Sequence, residues 1–181
     1  MKKLTLSILL ALIASVASAT LPKVLFYGNV IAGDIGDIVA PTEKVDETYM
    51  NGVMVTIECE GEVIREYANR STGFYSVILD SGKKYMVTFS KDGFISKRFE
   101  INTEAVVPLE KKSFKMYTDV TLFEKPDKGD FSAYEKQPVA KCKYNNAKQR
   151  LDWDMDYARM AFNHFVKTAK NAEATASVAE E

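Results

Sequence analysis

The sequence predicts a mainly β protein: a seven-stranded β-sandwich followed by a C-terminal α-helix. Apolar and polar residues alternate with a period of two over most of residues 24–123, as half-buried strands require. Glycine-containing turns separate these runs at spacings of roughly 8–12 residues, which favours a sandwich over a parallel α/β sheet. Beyond residue 152 the apolar spacing becomes helical.

The alternation sets the expected strands. Glu60-Gly61-Glu62 suits a tight hairpin between the second and third of them. In the sixth, Ile95, Phe99 and Ile101 share an apolar face that Lys97 interrupts. The seven strands are expected near residues 24–31, 53–59, 62–68, 74–79, 84–90, 94–101 and 114–123.

The segments around these strands are less regular. Residues 32–51 form a long acidic connection, and connections of this length are often functional or mobile. Residues 138–144 could add a short strand. A helix opens at Asp152-Trp153-Asp154-Met155-Asp156 and runs to about Lys170, with acids at its start and lysines near its end, as the helix dipole favours. Residues 171–181 are expected to be a frayed, disordered tail.

The N-terminus is typical of a cleavable signal peptide at residues 1–19. Two lysines precede a short apolar stretch, and Ala17-Ser18-Ala19 is a small-x-small cleavage site. An uncleaved anchor is the alternative, but the apolar run is short for a membrane span. We expect export to the periplasm, the outer membrane or the medium. The expected organisation is a signal peptide at 1–19, a β-sandwich at 20–124, a C-terminal extension at 125–170 and a tail at 171–181.

Charge and cysteine content narrow the classes of partner. With 24 basic and 25 acidic residues, the chain gives no reason to expect nucleic acid or an anionic membrane as a partner. No later apolar segment is long enough to span a membrane. The two cysteines, Cys59 and Cys142, could form a disulfide in an exported protein or remain buried free thiols. The sequence leaves both open, because it does not show whether the two Cα atoms come within range.

Residues suited to chemistry are few. His164 is the single histidine and has no partner at metal-ligand spacing, so we predict no catalytic, metal or cofactor site. Asp152, Asp154 and Asp156 are better explained by helix capping than by acid–base catalysis. Asn69-Arg70-Ser71 fits a weak glycosylation pattern. Acids of the long connection could hold calcium, although a solvated loop explains them more simply; these acids are Asp34, Asp37, Glu43, Asp46 and Glu47.

An ordered set of short motifs covers most of residues 24–101. The motifs are Tyr27-Gly28-Asn29-Val30, Gly52-Val53-Met54-Val55, Ser71-Thr72-Gly73-Phe74-Tyr75, Gly82-Lys83-Lys84-Tyr85-Met86-Val87 and Asp92-Gly93-Phe94. Their order and spacing resemble the carboxypeptidase regulatory-like domain. The resemblance implies a transthyretin-like (Ig-like) seven-stranded sandwich and a non-catalytic module. The connection at 32–51 is longer than the pattern of that family.

The C-terminal extension carries a second resemblance. Val120 to Phe123, Pro138-Val139-Ala140-Lys141 and Asp152-Trp153-Asp154 with Tyr157 are similar to a block found in small exported proteins of Bacteroidota bacteria. In those proteins the block follows the same kind of sandwich. The resemblance implies a cell-envelope setting.

These observations favour an exported, non-catalytic module that binds a protein or cell-envelope component, without a cofactor. Two alternatives stay open: a subunit of a fimbria- or adhesin-like assembly, and an enzyme acting on glycans or peptides through acids of the long connection. The helix has too many apolar residues for a solvated helix, so we expect it to dock on the sandwich and contribute to the contact surface. Completion of the core is the alternative for these residues: Trp153, Tyr157, Phe162 and Phe165.

Overall fold

The protein is described by a computed structural model over residues 21–39, 48–106 and 113–177, so the predicted signal peptide lies outside the described residues. The prediction of a mainly β chain with a C-terminal helix is confirmed. The helices are α1 (Ile35–Val39), α2 (Ser132–Lys136) and α3 (Met155–Ser177). The strands are β1 (Lys23–Gly33), β2 (Thr48–Tyr49), β3 (Met54–Cys59), β4 (Glu62–Ala68), β5 (Phe74–Asp80), β6 (Lys84–Ser90), β7 (Lys97–Asn102), β8 (Ser113–Tyr117), β9 (Val120–Phe123), β10 (Pro138–Asn145) and β11 (Arg150–Trp153).

Two sheets make up the sandwich. The five-stranded sheet is built on β1, which pairs antiparallel with β5 and β2 and parallel with β8 and β9. The six-stranded sheet has the order β11-β10-β7-β6-β3-β4, and only its β10–β7 pair is parallel. The strands β10 and β11 extend this sheet, so residues after 125 share a sheet with residues before it.

Alternating side chains of both sheets fill the space between them. Phe26 of β1 sits at the centre of an aromatic group, with ring centres 5.3 Å from Tyr75, 5.9 Å from Phe99 and 6.1 Å from Trp153. Edge-to-face contacts of this kind are favoured by the ring quadrupole beyond the burial of area. The period of two thus yields one apolar core, because β1, β3, β5, β6 and β7 each turn their apolar face inward.

The strand count differs from the seven predicted. The seventh predicted run divides into β8 and β9 at Thr118-Asp119, β10 is the short strand that residues 138–144 could add, and β2 and β11 are additional. The division follows from a close approach of β1, since a Cβ on Gly28 would collide with the carbonyl oxygen of Thr118. Tyr75 donates its hydroxyl to the same oxygen at 2.6 Å, and Asp119 accepts the backbone N–H of Asn29 at 2.9 Å. At Thr118 and Asp119 these side-chain hydrogen bonds interrupt the regular backbone pairing between β1 and its parallel neighbours.

A second, smaller apolar cluster joins the C-terminal extension to one end of the sandwich. Its members come from α1, the turn before β7, the end of β9, α2 and α3: Ile35, Ile95, Phe123, Phe131, Tyr134, Phe165, Ala169 and Ala172. Among the described residues, no helix is both long and apolar enough to cross a bilayer.

Candidate functional site

The helix α3 begins later and ends later than the sequence predicted. Trp153 is the last residue of β11, and Asp154 caps the helix by accepting the backbone N–H of Tyr157 at 3.0 Å. Asp152 lies in β11 and takes ion pairs from Lys148 and Arg150 instead of capping. The helix continues to Ser177, although a tail was predicted from residue 171. Burial of Ala172 in the second cluster holds this last part of the helix against the protein.

Phe165 fixes the helix to the sandwich. Its ring centre lies 5.1 Å from that of Phe123, 5.6 Å from that of Phe131 and 4.7 Å from that of Tyr134. The side chain is 1% exposed. Phe165 is therefore a core residue, and the expectation that it contributes to a partner surface is wrong.

The other three predicted surface residues fall in different environments. Trp153 is half-buried and packs on Phe26 and Phe99 in the main core. Tyr157 of α3 is half-buried, and the ammonium of Lys141 lies 4.3 Å from its ring centre. Phe162 is 52% exposed. The structure thus leaves Phe162, and part of Tyr157, accessible to a partner.

The first half of α3 exposes apolar side chains on both sides of its buried stripe. We call the set Met155, Tyr157, Met160 and Phe162 the helix surface. Met155 and Met160 are 66% and 64% exposed. At 100° per residue, Met155 and Phe162 lie on one flank, and Tyr157, Met160 and His164 lie on the other. The apolar residues therefore spread over more than one stripe, as the sequence predicted.

A cleft runs between α2 and the second of these flanks, and we call it the α2–α3 cleft. Its volume is about 310 Å³. Burial raises the pKa of Tyr134, which forms its floor together with Pro138. The lining is mostly apolar: Ala133, Tyr134, Gln137, Pro138, Tyr157, Met160, Ala161 and His164. Such a cleft suits an aliphatic or aromatic side chain of a partner.

A second cleft lies on the Phe162 flank, and we call it the Lys97 cleft. Its volume is about 250 Å³, and β7, β9, α2, β10 and α3 each contribute to its lining. The ammonium of Lys97 lies 4.6 Å from the ring centre of Phe123. Burial lowers the pKa of Lys97 from 10.5 to about 8. The cleft therefore combines apolar side chains with one half-buried cation, Lys97, and one exposed carboxylate, Asp119.

The two cysteines are free thiols in the structure. Cys59 pairs with Tyr85, Tyr85 with Ile101, and Ile101 with Cys142, so the cysteines stand at the two ends of one row across four strands. Three strand spacings amount to roughly 14 Å, whereas a disulfide needs Cα atoms within about 7 Å. The fold therefore does not bring this pair together. Burial raises the pKa of the Cys142 thiol to about 12, and Asp152 adds to the effect.

The other residues singled out for chemistry are dispersed. His164 is exposed at the rim of the α2–α3 cleft, and no described group of three or more His, Cys, Asp or Glu residues could hold a metal. Asp34 accepts the backbone N–H of Gly36 at 2.8 Å. The acids Glu43, Asp46 and Glu47 lie outside the described residues, as does the side chain of Asp37.

Asn69 of the glycosylation pattern is buried and has a structural role. Its amide oxygen accepts the N–H of Val53 at 2.9 Å, and its amide nitrogen donates to the carbonyls of Met50 at 2.7 Å and Gly73 at 3.0 Å. Because the side-chain nitrogen is engaged in two hydrogen bonds inside the protein, a folded chain does not present it for glycosylation.

Sequence reasoning missed Lys97 and Tyr134 as site residues. Lys97 stands in phase with Phe99 and Ile101, which are both buried, so the interruption of that apolar face was the available signal. Tyr134 lies in a polar segment with no strong periodicity, and nothing in the local pattern indicates that α3 would cover it.

Comparison with known proteins gives distant structural likenesses. No protein-family description matches the sequence, and no curated protein matches it. Catechol 1,2-dioxygenase from Acinetobacter sp. ADP1 is similar at 10% identity and a TM-score of 0.39, covering 61% of this chain and 55% of that one. 3-Chlorocatechol 1,2-dioxygenase from Rhodococcus opacus 1CP has 10% identity and a TM-score of 0.37, and the match covers 57% of this chain and 60% of that one. 5-Hydroxyisourate hydrolase from Klebsiella pneumoniae is similar at 12% identity and a TM-score of 0.31, and the match covers 57% of this chain and 98% of that one. The chain thus spans less than two thirds of the length of either dioxygenase.

Proposed function

We propose that the protein is an exported, non-catalytic β-sandwich that binds a protein of the cell envelope through the helix surface and the α2–α3 cleft. The observation that carries the proposal is the exposure of Met155, Met160 and Phe162 on a helix that is otherwise fixed by its buried stripe. Isolated exposed apolar residues are ordinary, but several on one stretch of helix, with Met160 bordering an apolar cleft, are typical of interaction sites.

The rigidity of the helix surface supports the proposal. Phe165, Ala169 and Ala172 anchor α3, and Asp154 caps its start, so the helix backbone that carries the exposed side chains is fixed before a partner arrives. A surface that is already ordered loses less entropy on association. The α2–α3 cleft would accept one apolar anchor of the partner, and Met160 at its rim can adapt in shape.

We also propose that the sandwich belongs to the carboxypeptidase regulatory-like, transthyretin-like family. The ordered sequence motifs support this, and the motif glycine Gly73 serves the turn between β4 and β5. Gly73 has a φ of +82°, and a Cβ there would approach the Cβ of Tyr49 to 2.9 Å. The single histidine, His164, stands on the exposed flank rather than in a closed site, which supports a binding role over a catalytic one.

The test is capture of the partner from the native cell envelope by the intact chain and by two matched variants. Met160→Asp places a charge on the helix surface at a residue that is 64% exposed. Val63→Asp places the same charge on β4, at a residue that is 60% exposed. We expect one protein to be retained by the wild type and by Val63→Asp but lost by Met160→Asp, with all three chains folded by circular dichroism.

Retention of the same protein by a folded Met160→Asp variant would exclude the helix surface as the contact. Titration calorimetry of the wild type and both variants with the purified partner then gives the affinity of each chain for that partner. We expect Met160→Asp to weaken it at least about tenfold, because a charge buried in an apolar contact must be desolvated.

A second candidate is an assembly subunit, which the edge strand β4 favours. β4 pairs with β3 alone among the described strands, and its residues Val63 and Ile64 are 60% and 56% exposed. An unpaired strand edge can accept a strand of another copy. Concentration-dependent polymers in size-exclusion chromatography, abolished by Val63→Asp and unaffected by Met160→Asp, would favour this candidate over the first.

A further inference from the structure

The Lys97 cleft holds a cation that no described side chain neutralises. Lys97 makes no ion pair with a described carboxylate, and its side chain has no hydrogen bond to a described residue. Its ammonium instead lies over the ring of Phe123, 4.6 Å from the ring centre. A cation–π contact offsets part of the loss of hydration, but it leaves the ammonium without an acceptor.

The charged groups around the cleft are engaged with other partners. Asp119 on the β9 side is exposed, and its oxygens accept hydrogen bonds from Asn29 and from the hydroxyl of Tyr117. Glu135 of α2 is held by the N–H of Ser96 and by Lys125, which is 3.2 Å away. Among the described residues, no charged side chain of α3 or β10 lines the cleft, which they border with Ala158, Phe162 and Val139. Lys97 is therefore the one cation of the described lining, and Asp119 is its one carboxylate.

The rest of the lining is mixed in character. Phe99, Val120 and Val139 supply apolar side chains, and Phe162 is 52% exposed. The polar side chains of the lining are Asp119, Thr121 and Tyr134. The volume of about 250 Å³ is below that of most drug-sized pockets, so it suits a molecule of roughly ten heavy atoms. A single ammonium balances the charge of one carboxylate, whereas a phosphate or sulfate dianion would keep a second charge that no described cation of the lining balances.

We propose that the Lys97 cleft binds a small organic monocarboxylate, with the carboxylate on the ammonium of Lys97 and the apolar body between Phe99, Val139 and Phe162. The ligand supplies the missing counter-charge and fills the apolar space at the same time. Because the ammonium is already partly desolvated, the added cost of removing water on binding falls mainly on the carboxylate. This ligand site lies on the opposite flank of α3 from the α2–α3 cleft, although Tyr134 lines both, and it does not depend on the proposed protein partner.

The pH dependence of binding follows from the same geometry. The carboxylate binds the protonated ammonium, and burial lowers the pKa of Lys97 to about 8 in the free protein. Above that pH the free protein must take up a proton before it binds, so the affinity falls up to about tenfold per pH unit. A role of Lys97 in stability alone would give no such dependence of binding on pH.

Benzoate and its uncharged analogue benzamide serve as probes for titration calorimetry with the full chain. We expect saturable benzoate binding with a dissociation constant of about 1 mM or tighter at pH 7, and benzamide binding at least about tenfold weaker. Lys97→Met should weaken benzoate binding at least tenfold and leave benzamide unchanged. Lys143→Met, at an exposed lysine of β10, is the matched control and should bind benzoate as the wild type does.

Several results would overturn the proposal. They are the absence of saturable benzoate binding, equal affinity for benzoate and benzamide, equal affinity of the wild type and Lys97→Met, or a benzoate affinity that does not fall between pH 7 and pH 9. The comparison of benzoate with benzamide uses only the wild type, so it decides the matter even if a variant fails to fold. Lys97→Gln gives a second uncharged variant for the same comparison.

Discussion

Phe165 of α3 stacks on Phe123 at the end of β9, with the two ring centres 5.1 Å apart and the planes inclined by 28°. This contact joins the C-terminal helix to the strand that pairs with the second half of β1. Three residues earlier on the same helix, Phe162 is more than half exposed. One helix therefore carries a phenylalanine that holds the fold and another that is free to contact other molecules.

Replacement of these two phenylalanines should have unequal effects on stability. We expect Phe165→Ala to lower the free energy of unfolding by about 3–5 kcal/mol, because it opens a cavity in the second cluster. Phe162→Ala should lower it by less than about 1 kcal/mol. Urea unfolding followed by circular dichroism measures both. Equal effects of the two changes would contradict the assignment of Phe165 to the core.

The stability of the protein should depend on pH through Lys97. Between pH 8 and 10.5 the native chain has released the proton of Lys97 while the unfolded chain still binds it, so this residue makes stability rise with pH. We expect Lys97→Met to be more stable than the wild type by about 1–3 kcal/mol at pH 7. The difference should shrink as the pH rises from 8 to 10.5. Urea midpoints across this range, with Lys143→Met as the control, test it; a constant difference would contradict the shifted pKa.

The two cysteines should both titrate as thiols. In denatured, unreduced protein we expect two thiols per chain, because Cys59 and Cys142 stand three strands apart. In the native protein at pH 8, Cys142 should react far more slowly than in the unfolded chain, since it is buried and its pKa is raised to about 12. Mass spectrometry of the alkylated protein distinguishes the two sites. Fewer than two thiols in protein purified from the cell envelope would contradict this arrangement.

Asn69 should be important for stability and should not carry a glycan. Asn69→Ala leaves the N–H of Val53 and the carbonyl of Met50 without their side-chain partner in a buried place. We expect a loss of about 1–3 kcal/mol in the free energy of unfolding. Asn146→Ala, at an exposed turn position, is the control and should change it by less than about 0.5 kcal/mol. A neutral effect at Asn69 would show that water replaces its hydrogen bonds.

If the chain is exported as proposed, the mature protein should begin at Thr20. Ala17-Ser18-Ala19 precedes this residue and has the small side chains that signal peptidase accepts. N-terminal sequencing of protein isolated from the native envelope is the measurement. Retention of Lys2 and Lys3 would instead indicate an uncleaved anchor.

Much of the local structure could be predicted from the sequence. The alternation of Val53, Val55 and Ile57 places β3 with its apolar face inward, and all three residues are buried. Glu60 and Gly61 adopt φ values of +53° and +88°, as a tight hairpin between β3 and β4 requires. These features depend on neighbouring residues and on the side-chain period of a strand, so the residues themselves determine them.

Other features depend on contacts between distant segments. The parallel pairing of β10 with β7 is one of them, and so is the division of β8 from β9 where Thr118 meets Gly28. A periodic pattern shows which face of a strand is apolar, but it does not show which strand lies beside it.

The candidate site shows the same division between local and distant information. The sequence alone determined that the C-terminal helix is more apolar than a solvated helix needs to be. Only the tertiary structure decided that Phe165 is buried, that Phe162 is exposed, and that Lys97 lines a cleft beside the helix without an ion pair to any described residue. The physical reason is that the exposure of a side chain depends on which elements pack around it. Here α2, α3 and the end of β9 must come together before any of these side chains is enclosed or left in water.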